Sequence, residues 1–450
     1  MSADNKHMAN ALRSRISDKS VKNDSLGTDT SVREFCSMKA LYATYRGSLV
    51  QPFKRAIAER EGRKSTTTHT LASDGRLYAL DLARFLAMLF MMQGHVLDAL
   101  VSPSIIDVTQ APWSVWHWIR GFTAPVFLMV SGAVHVFATK RNPDGQIRED
   151  AVGKRIRWAI TITGLGYLLF FPANRIWDLP FLSSNAMKSF LAVNILQLTG
   201  ITLLVYVLIV QKTRSVASMG KVGLFVGVFI VAVTPLMRLP IIELNAPAWL
   251  APYLSSAHGS LFPFFPFGSY LFFGVSVGAY LHSIPNQFRD QQLKKLGLLV
   301  GGVIAGVALA LHHIFLANGV TSNILESPES VLLVVRRVGI VLMIFSGCVF
   351  VLQHTYRLRN WYVLFGTRSL YIYVIHLVLL FGTPWWDGIG RTSTREFGLA
   401  GGLVMMVSIM IITLLIAWLV DHYERSSIRP EIKTTVRYGS LALLAYLMLV

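Results

Sequence analysis

His95 stands eleven residues after Arg84 and three before Asp98 in a strongly apolar stretch, and Asp81 precedes Arg84 by three. At 100° per residue these four side chains fall within about a 100° arc of a helix, with Met88 and Met91 between them on the same face. A carboxylate three residues from an imidazole can orient it and raise its basicity, as a general base working near neutral pH requires. The same imidazole could instead carry a transferred group itself. Arg84, ~16 Å away along the axis, suits a phosphate or another anion. The bland alternative is that Asp81 and Arg84 form an i,i+3 pair that only tethers helices.

The composition gives this stripe its weight. Of 450 residues, 53% are hydrophobic and 15% charged, against roughly 25% charged in soluble domains. Mean hydropathy is +0.51, and long apolar runs recur from Leu77 to the end. So few charges cannot cover a solvated surface, so lipid is the solvent for most of the chain. A soluble enzyme, a secreted disulfide scaffold and a disordered protein are excluded. The two cysteines, Cys36 and Cys348, make neither a disulfide framework nor a metal site. No His/Cys/Asp zinc spacing and no Gly-rich phosphate loop occurs, and the first apolar run is too long for a signal-peptide core.

A bilayer core of ~30 Å needs about 20 apolar residues per helix. Spans are expected near 77–101, 113–138, 157–173, 190–211, 222–238, 261–282, 296–317, 330–353, 361–382 and 397–421, with a doubtful eleventh at 438–450. The fold class is therefore an all-α polytopic integral membrane bundle of 10–11 transmembrane helices. Three parts follow: a basic cytoplasmic tail, 1–75; a transmembrane catalytic domain, 76–425; and a C-terminal segment, 426–450. In the largely disordered tail, Phe35, Met38, Leu41, Tyr42, Tyr45 and Leu49 recur at helical spacing, as in an amphipathic helix lying on a membrane.

The net charge of +18 reads as positive-inside topology rather than as nucleic-acid binding. With the N-terminus inside, 32 of the 42 Lys and Arg residues fall in cytoplasmic segments and five in the opposite loops. A multi-pass protein of the cytoplasmic (inner) membrane is expected, with the lipid bilayer as its partner; oligomeric state is not legible.

The remaining five, Arg84, Arg120, Arg336, Arg337 and Arg368, lie within spans. A charge near a helix centre costs about 2.5–3.5 kcal/mol on insertion scales, so such residues pair inward or mark a substrate path. Depth sorts them into two layers. Arg84 and Arg368 lie toward the cytoplasm, where Lys154 and Arg155 could clamp the phosphates of a cytosolic cofactor. Arg120, Arg336, Arg337 and His376 lie at the level of His95 and Asp98. His117, His135, His258, His312 and His313 fall near helix ends or in a loop and read as interfacial.

In order along the chain, these residues resemble the transmembrane acyltransferases, most closely the heparan-alpha-glucosaminide N-acetyltransferase-like family. The stretch from Leu80-Asp81 through Arg84 to His95 is similar to that family's opening helix, and Phe122–Gly132 to its second-helix signature. Lys154-Arg155 matches the basic start of helix three, Phe262–Gly268 with Gly274 and Gly278 a middle helix, and Gly366–His376 a late signature. The likeness covers about residues 75–425. Arg84-Phe85 departs from the family's usual Arg-Gly, and the long tail has no counterpart.

The resemblance implies acyl transfer, acetyl first among the groups, from cytosolic acyl-CoA to a sugar or glycan acceptor, without a metal. His95 with Asp98 would be catalytic. Arg84, Lys154, Arg155 and Arg368 would hold the donor, and Arg120, Arg336, Arg337 and His376 the acceptor. The rival class is a secondary transporter or flippase using the same buried residues as a proton-coupled path; a non-catalytic scaffold is disfavoured by the cost of five buried arginines. A polar cavity joining the two layers is the structural expectation.

Overall fold

The computed structural model describes residues 75–426 and 430–449. The tail, with the amphipathic stretch read at 35–49, lies outside them. The regular structure of the described part is helical apart from a hairpin of two short strands, Gly382–Thr383 with Trp386–Asp387.

The helices that matter for the site are α1 (Tyr78–Leu100), α2 (Trp113–Arg120), α3 (Thr123–Phe137), α4 (Glu149–Leu169), α5 (Ile195–Val210), α6 (Val216–Met237), α7 (Phe264–His282), α8 (Gly302–Ala317), α9 (Val331–Thr355), α10 (Arg359–Thr367), α11 (Ser369–Phe381), α12 (Leu399–Arg425) and α13 (Pro430–Leu449). All ten stretches expected from hydropathy are helical. Among the described residues, seven helical stretches are long and apolar enough to cross a bilayer, or eight if the pair Ser184–Leu191 and α5, bent by 51°, is one span. α4 falls outside that set because its first turns carry Glu149, Asp150, Lys154, Arg155 and Arg157, and α11 because it has 13 residues. The protein is a polytopic all-α membrane bundle.

Two expectations change in detail. The span read as 113–138 is α2 followed by α3, with a turn at Gly121-Phe122. The doubtful last helix begins earlier, at Pro430, and is exposed along nearly its whole length.

α1 is the hub, packed against α3, α9, α10, α11 and α12. Leu80, Leu82, Met88, Met92, Val96 and Leu97 are each at most 2% exposed; of the polar stripe, Asp81 is buried, Arg84 and His95 are partly buried, and Asp98 is exposed. Phe85, where the related family has glycine, stacks on Phe365 at 5.4 Å between ring centroids. The close approach is made from the other side: a methyl group on Gly366 of α10 would stand 2.9 Å from the Asp81 carbonyl oxygen. α3 and α7 approach closely through reciprocal glycines. A methyl on Gly132 would meet the Leu271 carbonyl oxygen at 1.9 Å, and one on Gly274 that of Met129 at 2.0 Å. Small residues at such crossings let backbones pack without the hydrophobic effect that drives association in water.

Candidate active site

His95, about three-quarters of the way along α1, meets His376 of α11. The rings stack with centroids 5.3 Å apart and an interplanar angle of 14°, and His95 Nδ1 lies 3.0 Å from His376 Nε2. His376 Nδ1 is 2.9 Å from the Ile372 carbonyl oxygen. A carbonyl can only accept, so His376 Nδ1 carries the hydrogen. In a neutral pair His376 Nε2 is then the acceptor, and His95 Nδ1 donates to it. That chain of two hydrogen bonds leaves the lone pair of His95 on Nε2.

His95 lines a cavity of about 520 Å³ whose wall comes from α1, α2, α3, α5, α7, α9 and α11. Asp98, His117, Arg120 and Arg337 supply its charged or titratable groups, Asn194 and Tyr373 further polar ones, and Phe90, Phe127, Phe170 and Phe381 aromatic ones. The last turn of α1 and α2 close one end of it. There Arg120 donates to both oxygens of Asp98, at 2.9 and 2.5 Å, and its guanidinium lies 4.3 Å from the Trp116 ring centroid. Gly94 makes room for this arrangement, because a methyl on it would fall 2.3 Å from Arg120 Nε. Asp98 is therefore committed to Arg120. The expectation that it orients His95 is corrected: the imidazole's partner is His376, which is fully buried.

The intramembrane arginines separate by their partners. Arg120 pairs with Asp98; Arg336 pairs with Glu326 at 2.7 Å and does not line the cavity; Arg368 pairs with Asp421 at 2.7 Å and with Glu424. The carboxylates of the last two pairs come from a loop and from the far end of α12, so Arg336 and Arg368 are held in helix-to-helix and helix-to-loop ties. Arg84 and Arg337 differ. Arg84 does not pair with Asp81, whose carboxylate takes Arg76 at 2.7 Å. Its Nη1 reaches the Gly366 carbonyl only at 3.4 Å, its Nε is buried without a hydrogen-bond partner, and its guanidinium lies 5.8 Å from the Phe127 ring. Arg337 makes no ion pair among the described residues and sits against Gly121 and Tyr270.

In the last turn of α3, His135 is held by the Ser131 carbonyl at 2.8 Å. Arg155 turns inward to donate to Thr139 Oγ1 at 2.8 Å. Its neighbour Lys154 points outward, 72% exposed and 3.9 Å from Asp150. Of the four residues expected at the donor site, Arg155 turns inward onto Thr139 and Arg84 is left with a weak contact to Gly366, whereas Lys154 and Arg368 are engaged elsewhere. His135 was read as interfacial, and its place one helical turn after Ser131 gave no signal of burial. The cavity does not join the two layers: it ends at Ala87, Leu370 and Phe127, and Arg84 lies behind the Phe127 ring. No group of three His, Cys, Asp or Glu side chains suited to a metal ion occurs among the described residues.

A model of the heparan-alpha-glucosaminide N-acetyltransferase catalytic domain matches residues 76–312, more than half of the chain. No curated protein matches the sequence as a relative. The matched stretch contains Arg84, His95, Asp98, Arg120, Lys154 and Arg155; Arg336, Arg337, Arg368 and His376 follow it. With its polytopic helical bundle, the chain belongs to the heparan-alpha-glucosaminide N-acetyltransferase catalytic family and is a multi-pass membrane protein of acetyltransferase type.

Proposed function

We propose that the protein transfers an acetyl group from cytosolic acetyl-CoA to a hydroxyl or amine of a sugar or glycan acceptor, with His95 as the catalytic group. The observation that carries this reading is the hydrogen-bonded pair His95–His376, which leaves a single basic nitrogen on a cavity-lining imidazole. His95 Nε2 takes the proton of the acceptor O–H or N–H while that heteroatom bonds to the thioester carbonyl carbon. The C–S bond breaks, and the departing thiolate recovers the proton from His95. The same nitrogen could first accept the acetyl group and pass it on. Either course needs the neutral tautomer that His376 selects.

Donor phosphates would lie at Arg84, with Arg155 adding positive charge, and the pantetheine arm would pass Phe127 toward His95. The unsatisfied Arg84 Nε supports this, since a buried guanidinium donor without a hydrogen-bond partner is costly unless a ligand supplies one. The positive-inside pattern supports a cytoplasmic Arg84 end and an inner-membrane location. Asp98 and Arg120 would shape the acceptor end.

The test is incubation of the purified full chain with acetyl-CoA and a hexosamine, followed by free-thiol release and mass spectrometry of the sugar. Transfer releases CoA and adds an acetyl group to the acceptor; a transporter or flippase leaves the thioester intact.

A further inference from the structure

We infer that Arg337 is the binding point for an anionic group, a phosphate ester or carboxylate, carried by the acceptor, so that the substrate is acidic and amphipathic rather than a neutral sugar. This rests on the acetyl-transfer reading and names the substrate class of its cavity.

Charge within a membrane bundle is kept where something answers it. The carboxylate on the cavity wall, Asp98, is taken by Arg120, and the two acids nearest α9 in sequence, Glu329 and Glu326, are taken by Arg238 and Arg336. His95 is bonded to His376, and His117 adds no negative charge. Arg337 therefore leaves the cavity with an uncompensated positive charge on the wall that also holds His95. A methyl group on Gly121 would lie 3.1 Å from Arg337 Nη2, so the guanidinium rests on the bare backbone at the turn between α2 and α3. Behind it, outside the cavity lining, the hydroxyl of the fully buried Tyr270 lies within reach of the guanidinium. The planar guanidinium fork is itself a bidentate donor set for an oxyanion.

The rest of the wall is apolar. Phe90, Phe170, Leu261 and Phe381 line the cavity, and each is more than a third exposed. A small neutral sugar would leave both this surface and Arg337 unanswered. An anion next to an apolar body answers both, whether the body is a lipid carrier or the flank of an acidic glycan.

The experiment measures thermal stability of the purified full chain in neutral-lipid nanodiscs against glucosamine, glucosamine 6-phosphate and farnesyl phosphate, without acetyl-CoA. The expected result is stabilisation by one or both phosphates and none by glucosamine. The midpoint concentration should rise about tenfold or more in Arg337→Gln, with partial retention in Arg337→Lys. A stronger response to farnesyl phosphate places the anion on a lipid; a stronger response to the sugar phosphate places it on the glycan. No response to either phosphate, or an undiminished response in a folded Arg337→Gln protein, overturns the inference. Because the readout is binding, it is independent of turnover: absent acetyl transfer with intact phosphate binding would overturn the enzymatic reading and leave the anion site standing.

Discussion

His95 and His376, 281 residues apart in sequence, meet with 3.0 Å between Nδ1 and Nε2, and the Ile372 carbonyl behind His376 fixes which nitrogen of each ring holds hydrogen. On the proposed reading, His376 is thus a positioning residue, acting through His95.

Replacing His376 should lower turnover and spare donor binding. We expect His376→Ala to reduce kcat by about tenfold to a hundredfold with the KM for acetyl-CoA unchanged, as for other groups that orient a working imidazole. His376→Gln should recover part of the loss, because an amide oxygen can accept from His95 Nδ1–H. Equal loss in both variants, or a change confined to KM, would contradict the role.

On the proposed reading, Arg84 acts on the donor. Arg84→Ala should raise the KM for acetyl-CoA by about tenfold to a hundredfold, the worth of a charge-assisted contact. Acetyl-pantetheine, which lacks the nucleotide phosphates, should be used equally by wild type and variant. A penalty of the same size on acetyl-pantetheine would remove Arg84 from the phosphate site.

Asp98 and Arg120 should behave as one unit. The pair is half-exposed on the carboxylate side, at 53% against 17% for the arginine, so each single alanine change should cost about 1–2 kcal/mol in unfolding, below the cost of breaking a fully buried pair. The double variant should cost no more than either single one. Asp98→Asn should keep activity within about tenfold of wild type, since His95 is oriented by His376. Additive losses, or abolished activity in Asp98→Asn, would restore Asp98 as the orienting carboxylate.

Gly132→Ala tests the crossing that sets α3 against α7. Its new methyl meets a backbone oxygen, which cannot move aside as a side chain could. We expect a loss of about 1–3 kcal/mol, read as a lower thermal midpoint in detergent. Wild-type stability would contradict the packing.

The positions of the spans were legible because lipid imposes length and hydropathy on each helix separately. Depth along those helices also put His376 at the level of His95 and Arg84 one layer away. Partnership was not legible. The i,i+3 spacing of His95 and Asp98 suggested a pair, but Arg120, 22 residues on, reaches Asp98 with two hydrogen bonds that an imidazole cannot match. The carboxylates that neutralise Arg336 and Arg368 lie 10 and 53 residues away, in a loop and on another helix. Sequence therefore identified five costly charges, and only tertiary structure sorted the three that stabilise the fold from Arg84 and Arg337.

The most direct test of the account is single-turnover transfer from acetyl-labelled CoA by purified wild type and His95→Ala, with donor binding measured in parallel. The account predicts that His95→Ala binds acetyl-CoA as wild type does but forms neither free CoA nor acetylated acceptor above background. Wild-type turnover in a folded His95→Ala protein would contradict it.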